Sequence, residues 1–330
     1  MNKIELLHLV NKIASTKGAV TVIGDVILDV FTTGYRERIS SEAPVPIIHV
    51  TEQQKMLGGA GNVAANVATL GGLVKLISVI GSGHSGRELI ELLENLGIST
   101  SGLVIDQKRL TTKKERLLSG DEQIVCMATE TREQIAPWVV QKISETIEAN
   151  GSSTLVITDY DRGMITEELV RRVIEAAVKQ NKKIIADLHV RNGFDVSCYG
   201  GAYLLTPNRH EAAKLINSSP INGDNETQEV ATKLVKLYNT NVLVTRDQEG
   251  MTLVTREGQV IHIPVVEPKA LCVSGAGDTV VGTIALALAS GVELIDAVRL
   301  SAYAAAVVVN KPGTATVSLA ELKTAIEIER

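Results

Sequence analysis

The sequence predicts an α/β fold of three layers around a mostly parallel central sheet, with a small second sheet attached. Six apolar runs carry the first half of this reading: VTVIG (20–24), LISVIG (76–81), TLVITD (154–159), KIIADL (183–188), AYLLTPN (202–208) and NVLVTRD (241–247). They have strand length and almost no polar alternation, as strands covered on both faces do. Between them lie segments of helical period near 60–70, 85–96, 134–149, 166–180, 208–216 and 226–238, which completes a βα rhythm. Two stretches break it. Residues 31–56 and 110–130 alternate like strands, carry turn residues and show no helical period, so they read as an antiparallel flap inserted into one domain spanning 1–330.

Taken in order, the first 18 residues form an amphipathic helix with polar residues interspersed and do not read as a signal peptide. The chain ends in two Ala- and Val-rich helices near 276–290 and 294–309. With 45% hydrophobic and 22% charged residues, 27 glycines and 8 prolines, the composition is globular and excludes collagen-like or disordered chains. Lys and Arg number 33 against 38 Asp and Glu, a net charge of −5, without a basic block that would mark a nucleic-acid partner. No apolar run reaches membrane-spanning length. Three separated cysteines, Cys126, Cys198 and Cys272, fit a reducing compartment and no thiolate metal site, hence a cytoplasmic location.

In open α/β sheets ligands sit beyond the carboxyl ends of the strands. The residues at the ends of the apolar runs are uniformly polar: Asp25 and Asp29, Asp159, Asp187, Asn208 with Glu211, and Thr245 with Asp247. A single such residue caps a helix or forms a turn; the repetition points to a site. Three glycine-rich segments are added to this. GSGHSG (81–86), with Asp106 downstream, has the spacing of a dinucleotide loop but does not occupy the first βα turn. SGAGDTVVGTIALALA (274–289) leads small residues into an apolar helix, so the backbone of Gly275, Ala276 and Gly277 can face an anion at a helix N-terminus. Asp278 would stand beside that anion, where a carboxylate is unfavourable unless it accepts a proton. No Lys-Ser/Thr comes after the glycines, so this is not a Walker loop. LGGAGNVAANVATLGG (57–72) sets Gly58 and Gly59 before a helix bearing Asn62.

Together, GGAGNVAANVATLGG and SGAGDTVVGTIALA resemble the two signatures of the ribokinase-like (PfkB) carbohydrate kinases, in the right order across nearly the whole chain. Within that family GDVILDVFTTGYRERISSEAPVPIIHV (24–50), TPNRHEAAKL (206–215) and NKPGTATVSLAEL (310–322) are similar to kinases of D-glycero-β-D-manno-heptose 7-phosphate, in their stand-alone form. The resemblance implies ATP and Mg²⁺ as cofactors, a step in ADP-heptose and lipopolysaccharide-core precursor synthesis, and a homodimer joined through the lid. It further implies Asp278 as catalytic base, Gly275–Gly277 as anion hole, and Asn208 and Glu211 as organisers of magnesium and phosphates. Thr245, Asp247, Gly250, Lys311 and Gly313 would lie on the nucleotide, and Asp29, Gly58, Gly59, Asn62 and Asp159 on the sugar phosphate. Lys113, Lys114, Arg116, Arg38 and Arg162 are the cations nearest in sequence to the lid and substrate segments.

Three departures from the family pattern stand out. Leu271-Cys272-Val273-Ser274 replaces an Asp-x-Thr that helps bind a monovalent cation, which predicts weak or no potassium activation. Asp187-Leu188-His189 stands for Asp-Pro-Lys, and Cys126-Met127-Ala128 for Arg-x-Asp in the second lid strand. Both bear on which sugar phosphate is used. Another sugar phosphate or a nucleoside as acceptor, an NAD-dependent oxidoreductase and a non-catalytic sugar-phosphate-binding regulator are the alternatives.

Overall fold

The computed structural model describes residues 2–120, 122–148, 151–266 and 274–328. Helix α1 (Lys3–Thr16) starts at a capping box: Asn2 accepts from the Glu5 amide at 3.0 Å and Glu5 from the Asn2 amide at 2.8 Å. The chain continues through β1 (Ala19–Gly24), β2 (Val26–Ile39), β3 (Pro46–Gly59), α2 (Ala60–Thr69), β4 (Leu73–Ile80), α3 (His84–Asn95), β5 (Ser99–Ile105), β6 (Lys113–Ser119) and β7 (Glu122–Thr129). Then come α4 (Pro137–Glu148), β8 (Thr154–Thr158), α5 (Glu167–Lys179), β9 (Lys183–Asp187), β10 (Leu204–Leu205), α6 (Arg209–Leu215), α7 (Gly223–Tyr238) and β11 (Asn241–Thr245). A hairpin of β12 (Met251–Val254) and β13 (Val260–Ile263) and the helices α8 (Ala276–Ala289), α9 (Leu294–Val308) and α10 (Leu319–Ile328) close the order.

Nine strands form the main sheet in the order β13-β12-β11-β10-β9-β8-β1-β4-β5. All pairs from β11 to β5 are parallel, and β12 and β13 add an antiparallel edge. Period-two geometry explains why these strands are apolar throughout. Val20 and Val22 of β1, Val156 of β8, Ile185 of β9 and Leu243 of β11 pack under α1, α2, α3, α8, α9 and α10. Their neighbours Ile23, Leu155, Ile157, Ile184 and Ala186 pack under α4 and α5, and Val242 and Val244 under α6 and α7. Chain order runs outward from β1 through β4 to β5, then resumes on the other side of β1 at β8, so the topological switch lies between β1 and β8. A ligand crevice is expected beyond that pair.

The four strands β3-β2-β6-β7 form the second sheet. Its boundaries differ from the sequence expectation, since β2 begins at Val26 and β3 runs to Gly59. The inner half of β2, Val26 to Val30, is fully buried and so shows no alternation to separate it from β1. Likewise 202–208 yields only the two-residue β10, with Asn208 joined to Thr245 of β11 by a single bridge before it caps α6. Sequence periodicity missed β5, the β12–β13 hairpin and α10. The two hairpin strands have four residues each, too few for a period to show.

Candidate active site

The polar residues after the strands gather at one edge of the main sheet, beside the β1/β8 switch. Asp278 lies in the first turn of α8 and is 6% exposed. Its Oδ2 accepts from the Asn62 amide nitrogen at 2.9 Å, and its Oδ1 takes a short hydrogen bond from the Tyr160 hydroxyl. Burial pushes its carboxyl up to about 6; the bonds from Tyr160 and Asn62 oppose the rise, Asp29 adds to it and Lys114 offsets it. A carboxyl titrating there is ionised at neutral pH yet basic enough to take a proton. Before α8, Gly275 has φ 81°, and a Cβ on it would stand 2.5 Å from the Asn62 amide nitrogen. Gly277 is exposed, with no heavy atom of the described residues within 4 Å of its Cβ position. Two of the three glycine-rich segments, 57–72 and 274–289, thus meet at one carboxylate.

Asp29 of β2 receives Arg116 Nη1 at 2.5 Å. Gly58, which pairs with Ile27 across the β2–β3 ladder, leaves room for this carboxylate, since a Cβ there would fall 2.2 Å from Asp29 Oδ2. Gly59, at φ 58°, leaves room for the Tyr160 ring, whose Cδ2 lies 3.3 Å from its Cβ position. Lys114, paired in register with Asp29, has its ammonium pKa lowered first by burial and then by Arg162 and Arg116, with Asp29 opposing. Arg162 in turn pairs with Glu130 at 2.8 Å. Three of the five cations singled out in the sequence therefore converge beside Asp29. Arg38 is exposed on the outer part of β2, and Lys113 pairs with Glu115 at 2.9 Å.

The loop after β8 is anchored from below. Asp25 accepts from the amides of Tyr160, Arg162 and Met164 at 3.0, 3.2 and 3.2 Å. Buried Arg109 donates to the carbonyls of Thr131, Arg162 and Glu133 at 3.0, 2.8 and 2.5 Å. Asp159 is tied by a short bond to Arg191, which also donates to the Ile165 carbonyl at 2.8 Å. Burial raises the Asp159 carboxyl to about 6 against the pull of Arg191. An acid held this way braces the loop. Tyr160, Arg109 and Arg191 were not singled out from sequence; the one available signal was the position of Tyr160 directly after a strand-end acid.

On the other flank Asn208 and Glu211 form the capping box of α6: Asn208 Oδ1 accepts from the Glu211 amide at 3.0 Å and Glu211 Oε2 from the Asn208 amide at 2.9 Å. Burial pushes Glu211 up to about 7. Asp187 is held well above the carboxylate range by burial and then by repulsion from Glu211 and Asp278. Asp187 thus carries repulsion from two carboxyls, which a nearby cation would relieve. Among the described residues no cluster of three or more His, Cys, Asp or Glu side chains could cage a metal alone. The Cys272 substitution, on which the potassium expectation rests, falls outside the described residues.

A cleft between the sheet and α8 and α9 is lined by Thr245, Gly250, Val280, Ala302, Ala305 and Val309 among others, and Asp247 stands on its rim. Its small apolar side chains leave a slot for a flat ring. Gly250 at φ 82° lets the turn pass Ile263, whose carbonyl would lie 2.1 Å from a Cβ. Lys311 pairs with Glu321 of α10 at 2.6 Å, and a Cβ on Gly313 would meet Met56 of β3 at 2.5 Å, at the foot of the small sheet. Two of the glycines of 81–86 serve packing: Cβ atoms on Gly81 and Gly86 would fall 2.1 Å from the Arg109 carbonyl and 2.2 Å from the Gly81 carbonyl.

Among the described residues no helix is long and apolar enough to cross a membrane. The chain is 22% identical to phosphofructokinase-2 of Escherichia coli solved with substrates and products, at a TM-score of 0.79 over 94% of this chain and 99% of that one. It also superposes on ribokinase of Arabidopsis thaliana solved with ribose and ATP, at 18% identity and a TM-score of 0.74, covering 94% and 99% of the two chains. These likenesses share the ribokinase-like fold. In sequence, the Bifunctional protein HldE of Geobacter sulfurreducens is 39% identical over 304 residues, 91% of this chain and 61% of that protein. The protein of the same name from Caulobacter sp. strain K31 is 40% identical over 311 residues, 94% of this chain and 63% of that one. The chain thus spans less than two thirds of the length of these relatives. The model of the pfkB family carbohydrate kinases matches residues 17–321, both glycine-rich segments and the strand-end acids included, and the chain belongs to that family of sugar phosphotransferases, which act on a hydroxyl acceptor.

Proposed function

We propose that this kinase transfers the γ-phosphoryl group of ATP to the 1-hydroxyl of D-glycero-β-D-manno-heptose 7-phosphate, giving the 1,7-bisphosphate. The observation that carries the reading is the proximity of a buried base, Asp278, to Asp29 and Lys114, with Arg116 bonded to Asp29 and Arg162 close to Lys114. Such an arrangement suits an acceptor with a hydroxyl at one end and a phosphate at the other. The identity to the HldE proteins supports the heptose.

In this reading Asp29, Asn62 and the backbone at Gly58 and Gly59 hold sugar hydroxyls, and the apolar cleft with Thr245 and Gly250 holds the base of ATP. Asp278 accepts the proton as the acceptor oxygen bonds to the γ-phosphorus, and the β,γ-bridging bond breaks with its electron pair leaving on ADP. The amides of Gly275 to Gly277, at the N-terminus of α8, face the negative charge. Asn208 and Glu211 would hold magnesium through water and phosphate, and that ion would neutralise phosphate charge when bound. The small sheet acts as a lid that excludes water. Its exposed Tyr35, Ile39 and Met127 support the reading that a second copy docks there.

A second reading, transfer to a different sugar phosphate, is favoured by Asp187-Leu188-His189 and by Cys126-Met127-Ala128, whose side chains on β7 supply no cation to the pocket. ADP release measured against a panel of sugar phosphates decides between the two. Asp278→Asn should lower turnover by about 100- to 10,000-fold with ATP affinity retained. Near wild-type turnover would refute the base assignment.

A further inference from the structure

Among the described residues Tyr160 is the one side chain hydrogen-bonded to the proposed base that neither the family signatures nor the mechanism above uses. Its ring packs against Gly59, and its hydroxyl reaches Asp278 Oδ1 while Asn62 reaches Oδ2. The backbone behind it is fixed at both flanks: Asp25 takes the amides of residues 160, 162 and 164, and Arg109 takes the Arg162 carbonyl. A bond between residues 118 positions apart, made from so anchored a loop, aims the carboxylate.

We propose that Tyr160 is a positioning residue for phosphoryl transfer: its hydroxyl and the Asn62 amide clamp the two oxygens of Asp278, fixing the carboxylate plane and leaving the remaining Oδ1 lone pair to face the acceptor hydroxyl. The proposal rests on Asp278 being the base. Tyr160 itself takes no proton, since burial and the neighbouring Asp278 and Asp187 hold its phenol well above its ordinary range. It acts by donating to the ionised form, which favours ionisation. The charged groups facing Asp278 from the other elements are Asp29 on β2, Lys114 on β6 and Asp187 on β9. Of these only Lys114 also favours the ionised form, so removing the Tyr160 bond has to raise the Asp278 pKa.

The test is Tyr160→Phe, which keeps the ring against Gly59, with heptose 7-phosphate or the best acceptor of the panel. The acid limb of the kcat profile should move to higher pH by about one unit, and plateau kcat should fall roughly 10-fold. The KM for ATP should stay within about twofold and the thermal midpoint within a few degrees. In an Asp278→Asn background the same substitution should change residual turnover by less than about twofold, because the two residues act as one unit. An unmoved acid limb would overturn the proposal, as would a full additive loss in the double variant. If Asp278→Asn collapses turnover while Tyr160→Phe leaves the acid limb in place, only the clamp fails. If Asp278→Asn leaves turnover intact, the base assignment fails and the clamp with it.

Discussion

Replacing Gly275 by alanine loads the site twice through one methyl group. At φ 81° an alanine loses roughly 1–2 kcal/mol to a left-handed conformation. The methyl would also stand 2.5 Å from the Asn62 amide nitrogen, which is wholly buried and cannot swing into solvent. Pushing that amide off Asp278 removes one of two hydrogen bonds to a buried carboxylate, worth about 1.5–3 kcal/mol for a charged acceptor. The expected outcome is a stability loss of roughly 2.5–5 kcal/mol and a fall in kcat of about 10- to 100-fold. Gly277→Ala is the internal control, for its Cβ meets nothing within 4 Å and lies inside α8. There alanine should leave stability unchanged or raise it by up to about 1 kcal/mol. Denaturant unfolding and initial-rate ADP release on both variants form the assay. Equal stability losses in the two, or wild-type kcat in Gly275→Ala, would refute the claim that Gly275 is kept to seat Asn62 against Asp278.

Two further outcomes are expected from the buried acids. Asp278 titrates at about 6 against an ordinary 3.8, so the folded state binds its proton more tightly than the unfolded chain, and stability falls as pH rises from about 4 through about 6. Asp278→Asn removes that cost and should raise the thermal midpoint more at about pH 8 than at about pH 4, with a ceiling of about 3 kcal/mol; equal gains at both would contradict this. Arg191→Ala strands the fully buried Asp159 side chain and should cost about 3–5 kcal/mol, with most of it recovered by adding Asp159→Asn. A loss under about 1 kcal/mol in urea unfolding would show that Asp159 is relieved by another group.

How much the sequence made legible depends on how far each signal reaches along the chain. The central strands were readable because a strand buried on both faces writes its state into five consecutive residues, as Thr154–Thr158 does. The start of β2 was not, because Val26 to Val30 write the same signal directly after β1 and erase the boundary. Asp278 and the glycines before it were legible since an acid in an anion-facing helix start conflicts with electrostatics locally. Asp159 shows the limit of that logic. Its place after a strand marked it as a candidate ligand, whereas the structure commits it to Arg191, which lies 32 residues on and leaves no local trace. The resemblance sets Lys311 and Gly313 on the nucleotide, and their contacts in the fold, Glu321 for the one and Met56 for the other, leave no trace in the turn after Val308. Tyr160 is the strongest case. Nothing in TDYDRG distinguishes a phenol facing solvent from one bonded to a base on a distant helix. The difference arises only when the switch between β1 and β8 brings Asp25 under the loop and fixes the direction of its next residue. Residues that act on a reacting group can be found from their own chemistry, while residues that aim it are defined by the topology that brings them together.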